Sequence, residues 1–166
     1  MKLKTLFTLF LLCKSLVVAE ALVINEIMSN PAGDDSGREW IEIYNDTGEA
    51  VDVSNLTISI KGGVPVSAFP VSGGVSIPPF GYGVIGSVVS GATKFSLDYP
   101  SYSGPLLRSS ISLVNTGVTS LDILLNSVVV HSVASYTAAK EGSTYSLLQG
   151  SYGLGTPTPG VENQPN

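Results

Sequence analysis

Thirteen carboxylates, one histidine and one cysteine bound the chemistry open to this 166-residue chain. A zinc centre needs about four ligands, normally Cys, His and carboxylate, and a lone His131 with a lone Cys13 does not supply them. Nucleophilic catalysis fares no better. No Gly-x-Ser-x-Gly turn surrounds a serine, and a triad would need a placed acid beside His131 as well. On an alternating strand His131 shares a face with Val129 and Val133, so it reads as a partly buried side chain. Two-carboxylate hydrolysis survives this inventory, with Glu26, Glu42, Asp34 and Asp35 as its bearers. It would require a site that raises the pKa of one carboxyl. Glu26 and Glu42 sit in strand-like runs and Asp34 and Asp35 in a Gly-rich turn, so structural roles are expected and no catalytic residue is assigned. The same turn offers calcium candidates in Asp34, Asp35 and Glu39, although calcium takes six to eight oxygen ligands and the spacing is not that of an EF-hand. No other cofactor is expected.

The elements that must hold these residues read as strands throughout. Leu22 to Met28, Glu39 to Tyr44, Val51 to Val53, Leu56 to Ile60 and Tyr82 to Val89 carry β-branched and aromatic residues, many in period-2 alternation. Ile41 and Ile43 fall on one face, with Trp40, Glu42 and Tyr44 on the other. Ile111 to Val114, Ser120 to Leu125 and Val128 to Tyr136 continue the pattern. The intervening turns are rich in Asn, Gly and Pro. Residues 90–105 read as a long surface loop, and no stretch sustains a helical period. Strands at this spacing predict an antiparallel sandwich or barrel.

The first 21 residues read as a cleavable leader. Lys2 and Lys4 give a basic start, Thr5 to Cys13 an apolar run too short to span a bilayer, and Ala19 and Ala21 alternative cleavage sites. Cleavage after Ala19 removes Lys2, Lys4 and Lys14 and takes the formal charge from −5 to −8. Cleavage after Ala21 removes Glu20 too and leaves −7. An acidic, exported, soluble domain over residues 22–166 is the expectation. It would have no nucleic-acid surface, no stable membrane insertion and a secreted or cell-surface location. Asn45-Asp46-Thr47 and Asn55-Leu56-Thr57 match the N-glycosylation pattern, which matters only in a glycosylating secretory route.

Three runs together resemble the lamin-tail domain family: Val23-Ile24-Asn25-Glu26-Ile27, Glu39-Trp40-Ile41-Glu42-Ile43-Tyr44-Asn45, and Val51-Asp52-Val53-Ser54-Asn55-Leu56. The resemblance continues through Ser76 to Ile85 and Ile111 to Gly117, and closes at Thr158-Pro159-Gly160-Val161-Glu162-Asn163. Asn55-Leu56 and His131 depart from the family pattern. The resemblance implies an immunoglobulin-like antiparallel β-sandwich of a non-enzymatic kind. It marks Asn25, Glu26, Trp40, Glu42, Tyr44, Asn45, Pro159, Gly160 and Asn163 as structural positions. Trp40 and Tyr44 are expected beneath a loop, Asn45 in a turn, and Asn163 bonded to nearby backbone. The chain ends with the fold, so no attached catalytic domain is expected. The function expected is protein or cell-surface interaction, as in adhesion or scaffolding, with Tyr99 and Tyr102 as the contact residues. The alternatives are an accessory role beside an extracellular hydrolase and a structural envelope or matrix role.

Overall fold

A computed structural model describes residues 21–72, 74–137 and 139–166. The leader assigned to residues 1–21 lies outside them, save for Ala21. In chain order the elements are β1 (Leu22–Met28), β2 (Trp40–Asn45), β3 (Val51–Asp52), β4 (Leu56–Ile60), β5 (Val66–Ser67), β6 (Phe69–Ser72), β7 (Ser76–Ile77) and β8 (Tyr82–Ser87). A single turn of helix, α1 (Phe95–Asp98), precedes β9 (Leu106–Ser109), β10 (Val118–Leu125), β11 (Val128–Thr137), β12 (Thr144–Leu148), β13 (Ser151–Thr156) and β14 (Gln164–Pro165). Among the described residues no helix is long and apolar enough to cross a membrane.

Two sheets make the sandwich. The larger has the order β14-β13-β12-β1-β2-β8-β9-β6 and the smaller β11-β10-β4-β5, while β3 and β7 form a separate pair. Pairing is antiparallel except between β8 and β9, which run parallel. The parallel pair follows from the 95–105 segment, which crosses over the outside of the large sheet before β9 begins. Ile24, Ile27, Ile41 and Ile43 of the large sheet meet Leu56, Ile58, Leu121 and Ile123 of the smaller in one buried core. Burial of this apolar area is the main force holding the two layers together.

A second, smaller core lies on the outer face of the large sheet. Met28, Trp40, Val84 and Leu106 point there, and Phe95 of α1 covers them with help from Tyr99 and Tyr102. The segment 90–105 lies at the surface, as its Ser, Gly and Pro content predicts, but it carries the turn α1 and buries Phe95 against the sheet. Its aromatic rings supply apolar area that the sheet face cannot bury by itself.

Three expectations are corrected. Ile111 and Leu113 are buried, but their segment forms no strand, because the Leu113 amide donates to the Glu39 carboxylate instead of to a sheet neighbour. β9, β12, β13 and β14 are strands that the apolar pattern did not announce. On β11 two register shifts replace alternation, so Val130, Val133 and Tyr136 point inward at three-residue spacing. His131 pairs opposite buried Ile123 and keeps company with Val133, whereas Val129 turns out to solvent at 53% exposure.

Candidate functional site

The site is made by one extra residue. β1 and β2 pair Ile24 with Ile43, and then Glu26 with Glu42, so Asn25 is a bulge. Strict alternation would point Glu26 into the core beside Ile24. The bulge turns it to the outer face of the large sheet, opposite Glu42. Both side chains are fully buried there.

Nearly all of their hydrogen bonds come from two sources. The hydroxyls of β12 serve Glu26: Thr144 Oγ1 donates to its Oε1 at 2.7 Å and Ser146 Oγ at 3.3 Å. The chain beyond β13 returns across the pair as a strap, residues 158–163. Its Thr158 amide donates to both Glu26 oxygens at 3.2 Å, and its Gly160 amide donates to Glu42 Oε2. Asn25 Nδ2 completes Glu42 by donating to Oε1 at 2.8 Å. Asn163 anchors the strap: its Nδ2 donates to Asn25 O at 2.9 Å, Asn25 Oδ1 at 3.1 Å and Leu147 O at 3.0 Å. Gly160 is required at its place. It has φ +88°, and a Cβ there would meet the Tyr102 ring at 3.1 Å.

Burial dominates the electrostatics. Removal from water pushes Glu26 up to about 7, against the Thr144, Thr158 and Ser146 donors that favour its charged form. Glu42 goes to about 8, again first through burial, with Asn25 and Gly160 opposing and the Glu26 charge adding to the rise. Two carboxyls poised near neutrality are what acid-base catalysis uses, and buried structural clusters show the same shifts. Access separates the two cases. Neither carboxyl is exposed, and the groove beside them is lined by strap and turn residues that do not include either.

The other sequence candidates are dispersed. Asp34 accepts the Ser36 amide, which, helped by an ion pair with Lys94 at 3.2 Å, holds its carboxyl below the usual range. Asp35 accepts from the Asn115 side chain. Glu39 is buried at the start of β2 and pushed up to about 7 by desolvation, with Leu113 N as its donor at 3.1 Å. Among the described residues no three His, Cys, Asp or Glu side chains form a group that could hold a metal ion.

Trp40 is fully buried under Phe95 and Tyr99, at ring distances of 5.7 and 5.5 Å. Tyr44 is half-buried and packs on Tyr82 instead, at 5.0 Å. Asn45 Nδ2 donates to Glu49 O, Ile77 O and Pro78 O, tying the β2 end to the turn before β8. Tyr99 and Tyr102 are half-buried, with Phe95 4.9 and 5.2 Å away, so they support the second core. His131 Nδ1 accepts the Ile24 amide at 3.3 Å, bridging the sheets. What sequence reasoning missed is Thr144 and Ser146, whose signal is weak, since Ser and Thr are plentiful in this chain; Thr158 opens the closing family run but is not assigned a role there.

Residues 18–116 match the model of the Lamin Tail Domain family. The chain belongs to that family. The matched stretch takes in β1 to β9 and therefore the Glu26–Glu42 pair, while the strap lies beyond it. Lamin tail domains are immunoglobulin-like modules, generally of interaction and typically non-catalytic. No curated protein and no solved structure matches this lamin-tail chain.

Proposed function

We propose that this lamin tail domain is an exported, non-enzymatic module that binds a protein or cell-surface ligand. The observation that carries the reading is the fate of the two carboxylates best poised for catalysis. Both are sealed from solvent, and their oxygens are occupied by donors of the strap and of β12. A hydrolytic pair must instead reach a substrate and a water. Export is supported by the basic start at Lys2 and Lys4 and the apolar run from Thr5 to Cys13.

The test takes the secreted protein, whose intact mass should report loss of the first 19 or 21 residues. That protein is then used for capture from its native extracellular material and for turnover assays on ester, glycan and nucleic-acid substrates. Saturable capture without turnover is the expected result. Turnover that disappears in Glu42→Gln at unchanged melting temperature contradicts it, as does recovery of the full-length chain from the cytosol.

A further inference from the structure

Beside the strap runs a groove of about 540 Å³ between the turn that leads into β8, residues 101–105 and the strap itself. Its walls are rings: Pro78, Phe80, Tyr82, Tyr102, Pro105 and Pro159. Phe80 stands out among them. It is 61% exposed and holds φ +51°, a left-handed conformation that a bulky side chain rarely adopts and that here leaves its ring uncovered at the groove. Among the described residues no charged or amide side chain lines the groove.

Charge gathers at its Phe80 end. The Phe80 amide donates to Thr47 O, which places the exposed Asp46 and Glu49 of that loop beside it. Glu162 adds an exposed acid on the strap, next to the groove residue Val161. All three are acids. Among the described residues no Lys or Arg lines the groove, and three are engaged: Arg38 pairs with Asp98, Lys94 with Asp34, and Arg108 donates to Gly91 O.

We propose that this groove binds an extended, proline-containing peptide that carries a basic residue. The proposal rests on the reading of the domain as a binding module and names the chemistry of its partner. A polyproline II segment has a solvated backbone and presents pyrrolidine rings every third position, which suits slots between aromatic and proline side chains and asks for no free sheet edge. Asp46, Glu49 and Glu162 complement the basic residue and set the peptide's direction. Sugars would instead call on amide and charged side chains, which this lining lacks; its hydroxyls are those of two serines and of Tyr82 and Tyr102, and the Tyr102 hydroxyl is already donated to Pro105 O.

The full chain is titrated by calorimetry with a nine-residue peptide of repeated Pro-Pro-Ala ending in Arg, with its Glu-ended counterpart, and with a chitin hexasaccharide. The expected result is saturable binding of the Arg-ended peptide, at least tenfold weaker binding of the Glu-ended one, and weakening as salt rises. Phe80→Gly, which relieves the left-handed strain, should lose at least tenfold in affinity with no fall in melting temperature. Asp46→Lys with Glu49→Lys should erase the preference for Arg. No saturable binding of the Arg-ended peptide, or binding that Phe80→Gly leaves unchanged, overturns the proposal. So does hexasaccharide binding that Phe80→Gly abolishes. A captured extracellular partner that Phe80→Gly still binds in full would sink the groove while sparing the binding-module reading, which turnover alone would contradict.

Discussion

Glu26 and Glu42 face each other across neighbouring strands, both fully buried, and the amides of Thr158 and Gly160 close over them. Like charges placed so would repel, and burial raises the cost further. The arrangement persists because burial keeps the pair from carrying its full charge near pH 7, Glu42 most of all, while the strap, β12 and Asn25 satisfy its oxygens. The carboxyls thus fasten the end of the chain to the sheet.

That arrangement fixes the sign of a pH effect. Glu26 and Glu39 are raised to about 7 and Glu42 to about 8, from a usual value near 4.5. Folded pKa values above unfolded ones mean that the folded state holds protons the unfolded chain releases. Their stabilisation is full below about pH 4.5 and is lost as pH rises through 7 to 8. A net loss of about 3 kcal/mol would lower Tm by roughly 6–12 °C between pH 5 and pH 9. Calorimetric scans across that range check it, and a Tm that rises with pH would be the wrong sign.

Glu42→Gln separates charge from shape. Gln matches the protonated carboxyl in shape but can accept only one of the two bonds from Asn25 and Gly160, so a loss of about 1–3 kcal/mol is expected at pH 5. At pH 9 the variant has nothing to ionise at position 42, so it should lose less stability than the parent between pH 5 and pH 9. Denaturant titrations at both pH values measure this, and the expected signature is a flattened pH profile.

Apolar, β-branched runs announce β1, β2, β4, β8, β10 and β11, by alternation in β2, β4 and β10 and by composition in β1, β8 and β11. The carboxylate clasp was only half legible. Glu26 and Glu42 are marked as structural by the family pattern, yet alternation alone would have sent Glu26 into the inter-sheet core. Only the Asn25 bulge brings it opposite Glu42, and nothing in the residue types from Leu22 to Met28 signals a bulge. β12 and β13 escaped notice for a different reason. Their buried positions include Thr144, Ser146 and Gly155, polar or small residues on the outer face of the sheet that serve Glu26 and the strap rather than an apolar core.

Asn163→Ala should reveal the anchor of the strap. It removes three donated hydrogen bonds and leaves Asn25 O, Asn25 Oδ1 and Leu147 O to find other partners. A loss of about 1–3 kcal/mol in urea unfolding is expected. Removing residues 157–166 should lower Tm further and, by opening Glu26 and Glu42 to water, leave only the share of the pH dependence that Glu39 supplies.

Tyr99 and Tyr102 report on the second core. Both pack against Phe95, and Tyr99 also against Trp40. Replacing either with Ala should cost about 2 kcal/mol, since each ring is half-buried and leaves a gap behind. The shared contact with Phe95 means that the double variant should depart from the sum of the singles. Near-ultraviolet circular dichroism should register the loss of fixed packing around Trp40.

The central claim is that the two buried carboxyls hold the strap and do no chemistry. Amide hydrogen exchange at Thr158 and Gly160 tests it most directly, in the parent and in Glu26→Ala and Glu42→Ala. The account predicts slow exchange of both amides in the parent, with Thr158 released in the first variant and Gly160 in the second, while amides of β2 and β8 stay protected. Free exchange of both strap amides in the parent would mean that the carboxyls lie open to water, and would contradict it.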